Sequence, residues 1–429
     1  MRFNVAHAAQ IACDRKMQTS ESIHSPDAVA EIDTLITEHG LDLSQKLQAH
    51  RLATFPPNAR KTLRPFNLSE VAKLLGVTPG YLRNLSLEGK GPSPAATPSG
   101  RRSYTAEQML DLRRYLDDNR RSGRRYIPHR SGSEHLQIIA VANFKGGSGK
   151  TTTAAHLAQH LALAAYRVLA IDLDPQASMS ALHGFQPELD VGPNETIYGA
   201  IRYDDQRRPL RELIKPTNFP GLDIVPGNIE LMEFEYDTPL VLSRKKDGSA
   251  GGGHQATDGL FFSRLDKVLG DVADQYDVVV IDCPPQLGYL TMSALCAATA
   301  LLITVHPQML DVMSMCQFLL MLGDVLSHLK TAGGNMRYDW IRYLITRYEA
   351  ADGPQTDMVA FIRSRFGRHV LTNPMLKSVA IADASLTKQT IYEVDRRQFT
   401  PATYDRAIEA LDGVNGEIEA LIRKTWGRA

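Results

Sequence analysis

The segment KGGSGKTT, residues 145–152, gathers two lysines and three glycines into one short stretch. Gly146, Gly147 and Gly149 let the backbone turn its N–H groups inward around a phosphate chain, with Ser148 and Thr152 in the same loop. A helix starting just beyond adds the positive end of its dipole. In such a loop Lys150 reaches the β- and γ-phosphates of a nucleotide, and the Thr151 hydroxyl ligates Mg²⁺. The strict pattern G-x-x-x-x-G-K-[ST] asks for glycine at 144, where this chain has Phe144, and Lys145 follows. A second cation on one loop is repelled unless more negative charge arrives. A nucleotide presented by a facing copy of the chain supplies it. The expectation is ATP with Mg²⁺ held between two subunits of a homodimer.

Two acidic segments sit where strands should end. Asp172 and Asp174 lie in IDLDPQAS, and Asp282 lies in VVVIDCPPQLG. In an open parallel sheet, ligands gather at the carboxyl ends of the strands, so the three segments should converge on one nucleotide. Asp282 is the candidate to hold a water on Mg²⁺, and Asp174 the candidate to orient the attacking water. Taken singly, each aspartate could equally cap a helix or join a salt bridge. Pro284-Pro285 stiffens the loop that must sense the γ-phosphate.

The elements that must position these groups follow from patterning. Apolar runs predict strands at Leu136–Asn143, Val168–Leu173, Leu222–Val225, Val278–Asp282, Leu301–Val305 and Ile341–Ile345. Alternation with helices predicts an α/β parallel-sheet domain over 135–429. The stretch RKKDGSAGGGHQATDG, 244–259, has little to bury and reads as a mobile loop. The methionine-rich stretch 309–322 reads as a core helix.

The formal net charge is zero, but residues 60–130 hold 15 Lys+Arg against 6 Asp+Glu. That block points to a polyanion partner or to a solvated surface with a basic linker. Within it, residues 61–118 read as a winged helix-turn-helix domain. Asn67 and Glu70 form a capping box, Gly76-Val77-Thr78 a turn, and Thr78 with Pro79 the start of a second helix. That helix offers Tyr81, Arg83, Asn84 and Ser86 to a DNA groove. Arg101 and Arg102 end a proline-rich segment that reads as a wing contacting phosphates. A protein-contact bundle is the other reading. Residues 1–60 read as a helical arm ended by Pro56-Pro57, for dimerisation or for packing on the chain's own domain. Residues 119–134 are a basic linker whose arginines track DNA or stay solvated.

The longest near-continuous apolar run, Ala294–Val305, is shorter than the ~20 residues of a membrane span. Cys13, Cys283, Cys296 and Cys316 are scattered, as in a reduced cytoplasmic chain. The C-terminal segment has Ile408, Leu411, Ile418, Leu421 and Ile422 on one helical face beside Arg423, Lys424, Trp426 and Arg428. That face would either lie on an anionic membrane or pack on its domain.

KGGSGKTTT, DLDPQAS and IDCPPQLG, in this order, resemble the three boxes of the ParA/MinD family of deviant Walker ATPases. The preceding arm and helix-turn-helix narrow this to the larger plasmid ParA type. RRSYT, AIDLDPQASMSALHG, ALCAAT and HPQMLDVMSM resemble the RepA-type partition proteins of RepABC replicons, from about residue 40 onward. The resemblance implies that Lys145 crosses to the partner subunit's phosphates, and that Asp174 positions water. It implies that Asn373 and Pro374, in LTNPMLKSVAIADA, lie beside the adenine. It also implies that Arg363, Arg365, Arg368 and Lys377 bind DNA without sequence preference, although a solvated helix face is the plainer alternative. Further implications are slow ATP hydrolysis stimulated by a ParB-type centromere-binding protein, operator binding that represses the chain's own operon, and a nucleoid-associated location without a membrane. A MinD-like membrane-surface ATPase and a repressor with a vestigial nucleotide site are the competing readings.

Overall fold

The computed structural model describes residues 32–54, 61–96, 101–120, 123, 125–246, 260–333 and 337–428. Pro56-Pro57, Pro98, Gly100, most of the 244–259 segment and Cys13 lie outside them. The chain divides into two units, 1–60 and 61–429. In the first, α1 (Ile32–Thr54) is a single helix on which Ile32, Leu35, Ile36, Leu41 and Leu43 are exposed.

The second unit opens with β1 (Phe66–Asn67), α2 (Leu68–Leu75), α3 (Pro79–Leu87), β2 (Ala95–Ala96), β3 (Arg102–Tyr104) and α4 (Ala106–Asp118). Local chemistry sets these boundaries. Asn67 accepts from Ser69 N and Glu70 N, and the Glu70 side chain returns to Asn67 N. Gly76 closes α2 at φ +61°, in the left-handed region, which glycine enters without a Cβ penalty. Thr78 then caps α3 through Tyr81 N, and Thr105 with Gln108 forms a second capping box on α4. The three short strands make an antiparallel sheet in the order β1-β3-β2.

From β4 (Gln137–Ala142) onward the chain alternates. The elements are α5 (Lys150–Leu163), β5 (Val168–Asp172), α6 (Ser178–Leu182), β6 (Lys215–Pro216), β7 (Leu222–Val225), α7 (Met232–Lys246), α8 (Arg264–Gly270) and β8 (Val278–Asp282). These are followed by α9 (Tyr289–Ala297), β9 (Ala300–Val305), α10 (Met309–Thr331), β10 (Trp340–Ile345), α11 (Gly353–Phe366), α12 (Val379–Leu386) and α13 (Pro401–Thr425). The sheet order is β10-β9-β4-β8-β5-β7-β6, and every pairing is parallel except β6 with β7. The six expected strands are present within a residue or two. β6 is an addition that two residues of ordinary composition did not announce. β4, β5, β8 and β9 are buried along their whole length, as strands covered on both faces must be.

The front segment and the large sheet share one apolar core. Phe66, Val71, Leu82 and Leu112 belong to the same buried cluster as Leu157, Leu161, Leu411 and Ile418. Polar ties cross the same junction. The Lys61 ammonium meets Glu393, whose side chain is 0 % exposed, at 2.8 Å, and also donates to Leu182 O and Lys388 O. Arg64 donates to the Tyr404 hydroxyl, and Lys73 pairs with Asp412.

Two expectations change here. Stretch 309–322 is helical, but on α10 only Met315, Phe318, Leu322 and Leu329 are buried, while Met309, Leu310, Met313, Leu320 and Met321 are exposed. α10 is also long and apolar enough to cross a membrane, which the search for a continuous run missed because Asp311, Ser314 and Gln317 interrupt it. It joins β9 to β10, adjacent parallel strands in register, and a connection that packs back on its sheet does not traverse a bilayer. The apolar face of α13 is likewise inward. Leu411, Ile418 and Ile422 are fully buried, and Arg423 and Arg428 are paired with Glu419 and Glu134. That face of α13 packs on its own domain.

Candidate functional site

Residues 143–149 form the loop between β4 and α5, and the neighbouring strand ends fix its shape. Asn143 is buried and donates to Thr304 O at 2.6 Å, while its Oδ1 accepts from Lys145 N. The Thr304 hydroxyl donates to Ser148 Oγ, and the Thr346 hydroxyl donates to Ser148 O at 2.8 Å. Arg347 reaches Gly147 O from the far side. Gly147 and Gly149 take φ +73° and +85°, and Gly149 begins α5 with no side chain to cap it. A helix N-terminus left uncapped by protein is suited to an anion.

The loop floors a cleft of about 600 Å³. Its lining includes Gly146, Gly147, Gly149, Lys150, Thr151 and Thr152, together with Asp174 and Pro285, and Thr346, Arg347, Met375 to Val379 and Ile381. The three sequence boxes therefore meet. Lys150 is 6 % exposed, and its ammonium donates to Lys145 O at 3.0 Å. Burial lowers its pKa against the pull of Asp282, Cys283 and Asp174.

Asp282 ends β8, fully buried. Neither carboxylate oxygen has a hydrogen bond of normal geometry, although the Thr151 hydroxyl and Lys150 lie near enough to favour its charged form. Burial, then Asp172 and then Asp174, push its pKa well up. An orphaned buried carboxylate beside a hydroxyl and among like charges fits a divalent cation carrying water. Asp172 is committed elsewhere. It accepts from Ser180 N and Oγ and from Asp174 N, which pins α6 beneath the second box. Its pKa rises to about 6, chiefly through burial. Asp174 Oδ1 accepts from Gln176 N at the cleft wall. Cys283 is buried in the apolar core with its pKa raised.

Several expected residues stand elsewhere. Lys145 does not line the cleft, and its ammonium pairs with Asp311 on α10. Asn373 and Pro374 also fall outside the cleft. Glu417 on α13 takes Asn373 N and Nδ2, and the cleft wall begins at Met375. Lys377 is on that wall, paired with Glu349. Arg363 and Arg365 at the end of α11 and Arg368 just beyond it are exposed, and burial, then the nearby Arg368, lower the pKa of Arg342 on β10. On α3, Tyr81, Arg83 and Asn84 are exposed while Leu82 and Leu85 are buried. Ser86 accepts from Arg102 Nε, and Arg101 is exposed.

Sequence reasoning passed over Thr304, Thr346 and Arg347, which carry no motif. It also passed over Glu235, whose carboxylate accepts from Tyr289 N and Leu290 N and so caps α9 behind the third box. Gly288 makes room for it, since a Cβ there would lie 2.4 Å from Glu235.

Residues 136–332 match a family described as an AAA domain. A protein of Sinorhizobium fredii carrying the name replication protein A is 59% identical over 406 residues, which is 94% of this chain and 97% of that relative. Protein SopA of Escherichia coli K12 is 32% identical over 379 residues, 86% of this chain and 92% of SopA. The chain belongs to the ParA family. A solved structure described as a partition protein shares the fold, with a TM-score of 0.52 at 20% identity over 87% of this chain and 99% of that one. The fold is thus the parallel-sheet P-loop NTPase type of ParA proteins.

Proposed function

We propose that this ParA-family chain is an ATP-dependent partition protein for a plasmid or similar replicon, switching its hold on DNA by binding and hydrolysing ATP. The observation that carries the reading is the orphaned Asp282 carboxylate beside Thr151, at the foot of a loop whose buried Lys150 forms no ion pair with a carboxylate among the described residues. Triphosphate brings the negative charge Lys150 needs. The Thr151 hydroxyl and, through a water, Asp282 would hold Mg²⁺, which would supply charge neutralisation to the phosphates. Gly146, Gly147 and Gly149 present backbone N–H groups, and Ser148 and Thr152 complete the cradle. Asp174, on the wall with its carboxylate accepting from Gln176 N, orients water for attack.

Lys145 reaches the triphosphate of a second copy, so that ATP joins two subunits, and hydrolysis parts them. No arginine finger is evident, and turnover is slow until a ParB-type partner binds. Arg363, Arg365 and Arg368, extended by Arg342, form the surface for DNA of any sequence. Doubling such a surface in a dimer raises affinity steeply. Residues 61–118 act as a winged helix-turn-helix, with Tyr81, Arg83 and Asn84 on the exposed side of α3 reading an operator and Arg101 and Arg102 on phosphates. SopA and the Sinorhizobium relative, matched over most of their lengths, support this reading.

The test is DNA binding with ATP, with ADP and without nucleotide, on operator and on random DNA, alongside phosphate release. ATP should raise random-DNA affinity at least tenfold over ADP. Equal affinity in all three states, with no phosphate released, would discard the reading.

A further inference from the structure

The loop 283–288, CPPQLG, is held at its two ends. At its start, Cys283 N donates to Val141 O of β4. Pro284 and Pro285 have no N–H to give, and Pro285 is exposed on the cleft wall. At its end α9 begins behind Gly288, which has no side chain to cap the first turn. Glu235 of α7 supplies that cap. One carboxylate oxygen accepts from Tyr289 N at 2.9 Å and the other from Leu290 N at 3.0 Å. A carboxylate in this place also meets the positive end of the helix dipole. The Thr291 hydroxyl donates back to Gln286 O at 2.7 Å, so the anchored turn carries the loop with it. Gly288 lies at φ −89°, which alanine adopts without strain, yet a Cβ there would overlap both Glu235 oxygens. The glycine makes room for the carboxylate and is not needed for the turn.

α7 is tied in its turn to the second box. Gly227 N donates to Ser180 Oγ, whose hydroxyl donates to Asp172. Asn228 then caps the short turn Ile229–Leu231 that opens α7. On α7, Phe234 and Thr238 are buried, the Tyr203 ring stacks on Phe234, and the Tyr198 hydroxyl donates to Asp237. Glu235 therefore projects from a braced helix, half-buried and outside the cleft lining. The path from Asp172 through Gly227 and Glu235 to Tyr289 is a strut between the second box and the third.

We propose that Glu235 is a positioning residue of the nucleotide site, holding the amino end of α9 so that the 283–288 loop stands where a γ-phosphate meets it. The inference rests on the ATP-hydrolysing reading above. Glu235 touches no nucleotide and acts through the N–H groups of Tyr289 and Leu290 on Gln286 and Pro285. Without it those N–H groups lose their acceptor, and the loop loses its fixed distance from Lys150 and Asp282. The loop 146–152, which takes the rest of the phosphate chain, keeps its own ties to Thr304 and Thr346. The loss therefore falls on ATP and on turnover, and spares ADP.

The experiment compares wild type, Glu235→Ala, Glu235→Gln, Gly288→Ala and the Glu235→Ala, Gly288→Ala double variant. Each is melted without nucleotide, titrated with fluorescent ADP and with a slowly hydrolysed ATP analogue, and assayed for phosphate release at saturating ATP with Mg²⁺. Glu235→Ala and Gly288→Ala should each lose at least about tenfold in kcat and in preference for the analogue over ADP, with ADP affinity within about twofold of wild type. Glu235→Gln keeps one carbonyl acceptor and should recover part of both, and it carries the test if Glu235→Ala fails to fold. The double variant should be no worse than Glu235→Ala, because the added Cβ then meets no carboxylate. Losses that multiply in the double variant overturn the proposal. So does a fall of ADP and analogue affinity in step with Tm, which a merely structural cap would give, or a wild-type kcat in both single alanine variants. A wild-type chain that binds neither nucleotide and releases no phosphate removes the ATP reading, and the role of Glu235 with it.

Discussion

Thr346 and Gly149 touch across the phosphate loop. The Thr346 hydroxyl donates to Ser148 O, and a Cβ built on Gly149 would lie 3.4 Å from Thr346 Cβ. The end of β10 thereby sets how the loop enters α5. Gly149→Ala must hold φ near +85° and crowd Thr346, at a cost of about 1–2 kcal/mol. The expected outcome is a few degrees lower Tm and a loss of nucleotide binding well beyond what the Tm explains, read with a fluorescent ATP analogue. Normal binding by this variant would show that the contact does not shape the loop.

Asp282→Asn should separate stability from chemistry. It removes a buried charge repelled by Asp172 and Asp174, so the nucleotide-free chain should melt at the same or a higher temperature. Mg²⁺-dependent phosphate release should fall by at least about a hundredfold, since the water on the cation loses its acceptor. A variant hydrolysing at the wild-type rate would take Asp282 out of the metal site.

The same acids set a pH dependence. Asp172 is raised to about 6 and Asp282 is raised further, both chiefly by burial. The folded chain therefore keeps protons that the unfolded chain releases near pH ~4. Their contribution is complete below that value and is lost as pH rises through the folded pKa values. The nucleotide-free protein should lose Tm from pH 5 to pH 7 more steeply than Asp282→Asn does. Mg²⁺ with ATP should flatten the slope, and EDTA should restore it.

On the DNA side, Arg83→Ala should weaken operator binding by about tenfold or more and leave random-DNA binding within about twofold. Arg363→Ala with Arg365→Ala should do the reverse and lower the salt dependence of random-DNA binding. Fluorescence anisotropy on both DNAs, with and without ATP, separates the two.

The strands, and the meeting of the three motif segments at one cleft, were legible because their signals are local. Buried parallel strands are continuous apolar runs, and a phosphate loop needs glycines and a lysine in sequence. Thr304 and Thr346 were not legible, because a threonine at a strand end has no signature until the sheet order brings it to Ser148. Asn373 falls outside the cleft for a related reason. The loop around it was recognised, but Glu417, 44 residues on, decides which way that asparagine points. The exposed face of α10 was invisible because composition records that residues are apolar, not what covers them.

Lys61 places its ammonium against a carboxylate with no access to water, at a junction where the front segment and the nucleotide-binding sheet bury their side chains in common. Residues 61–118 are therefore no pendulum on a string. Two such protomers brought together would carry their α3 helices at a separation dictated by the joined phosphate loops. On the proposed operator-bound dimer, the distance between half-sites would report how the subunits meet, and inserting a few base pairs between half-sites should cost more affinity than changing a base within one.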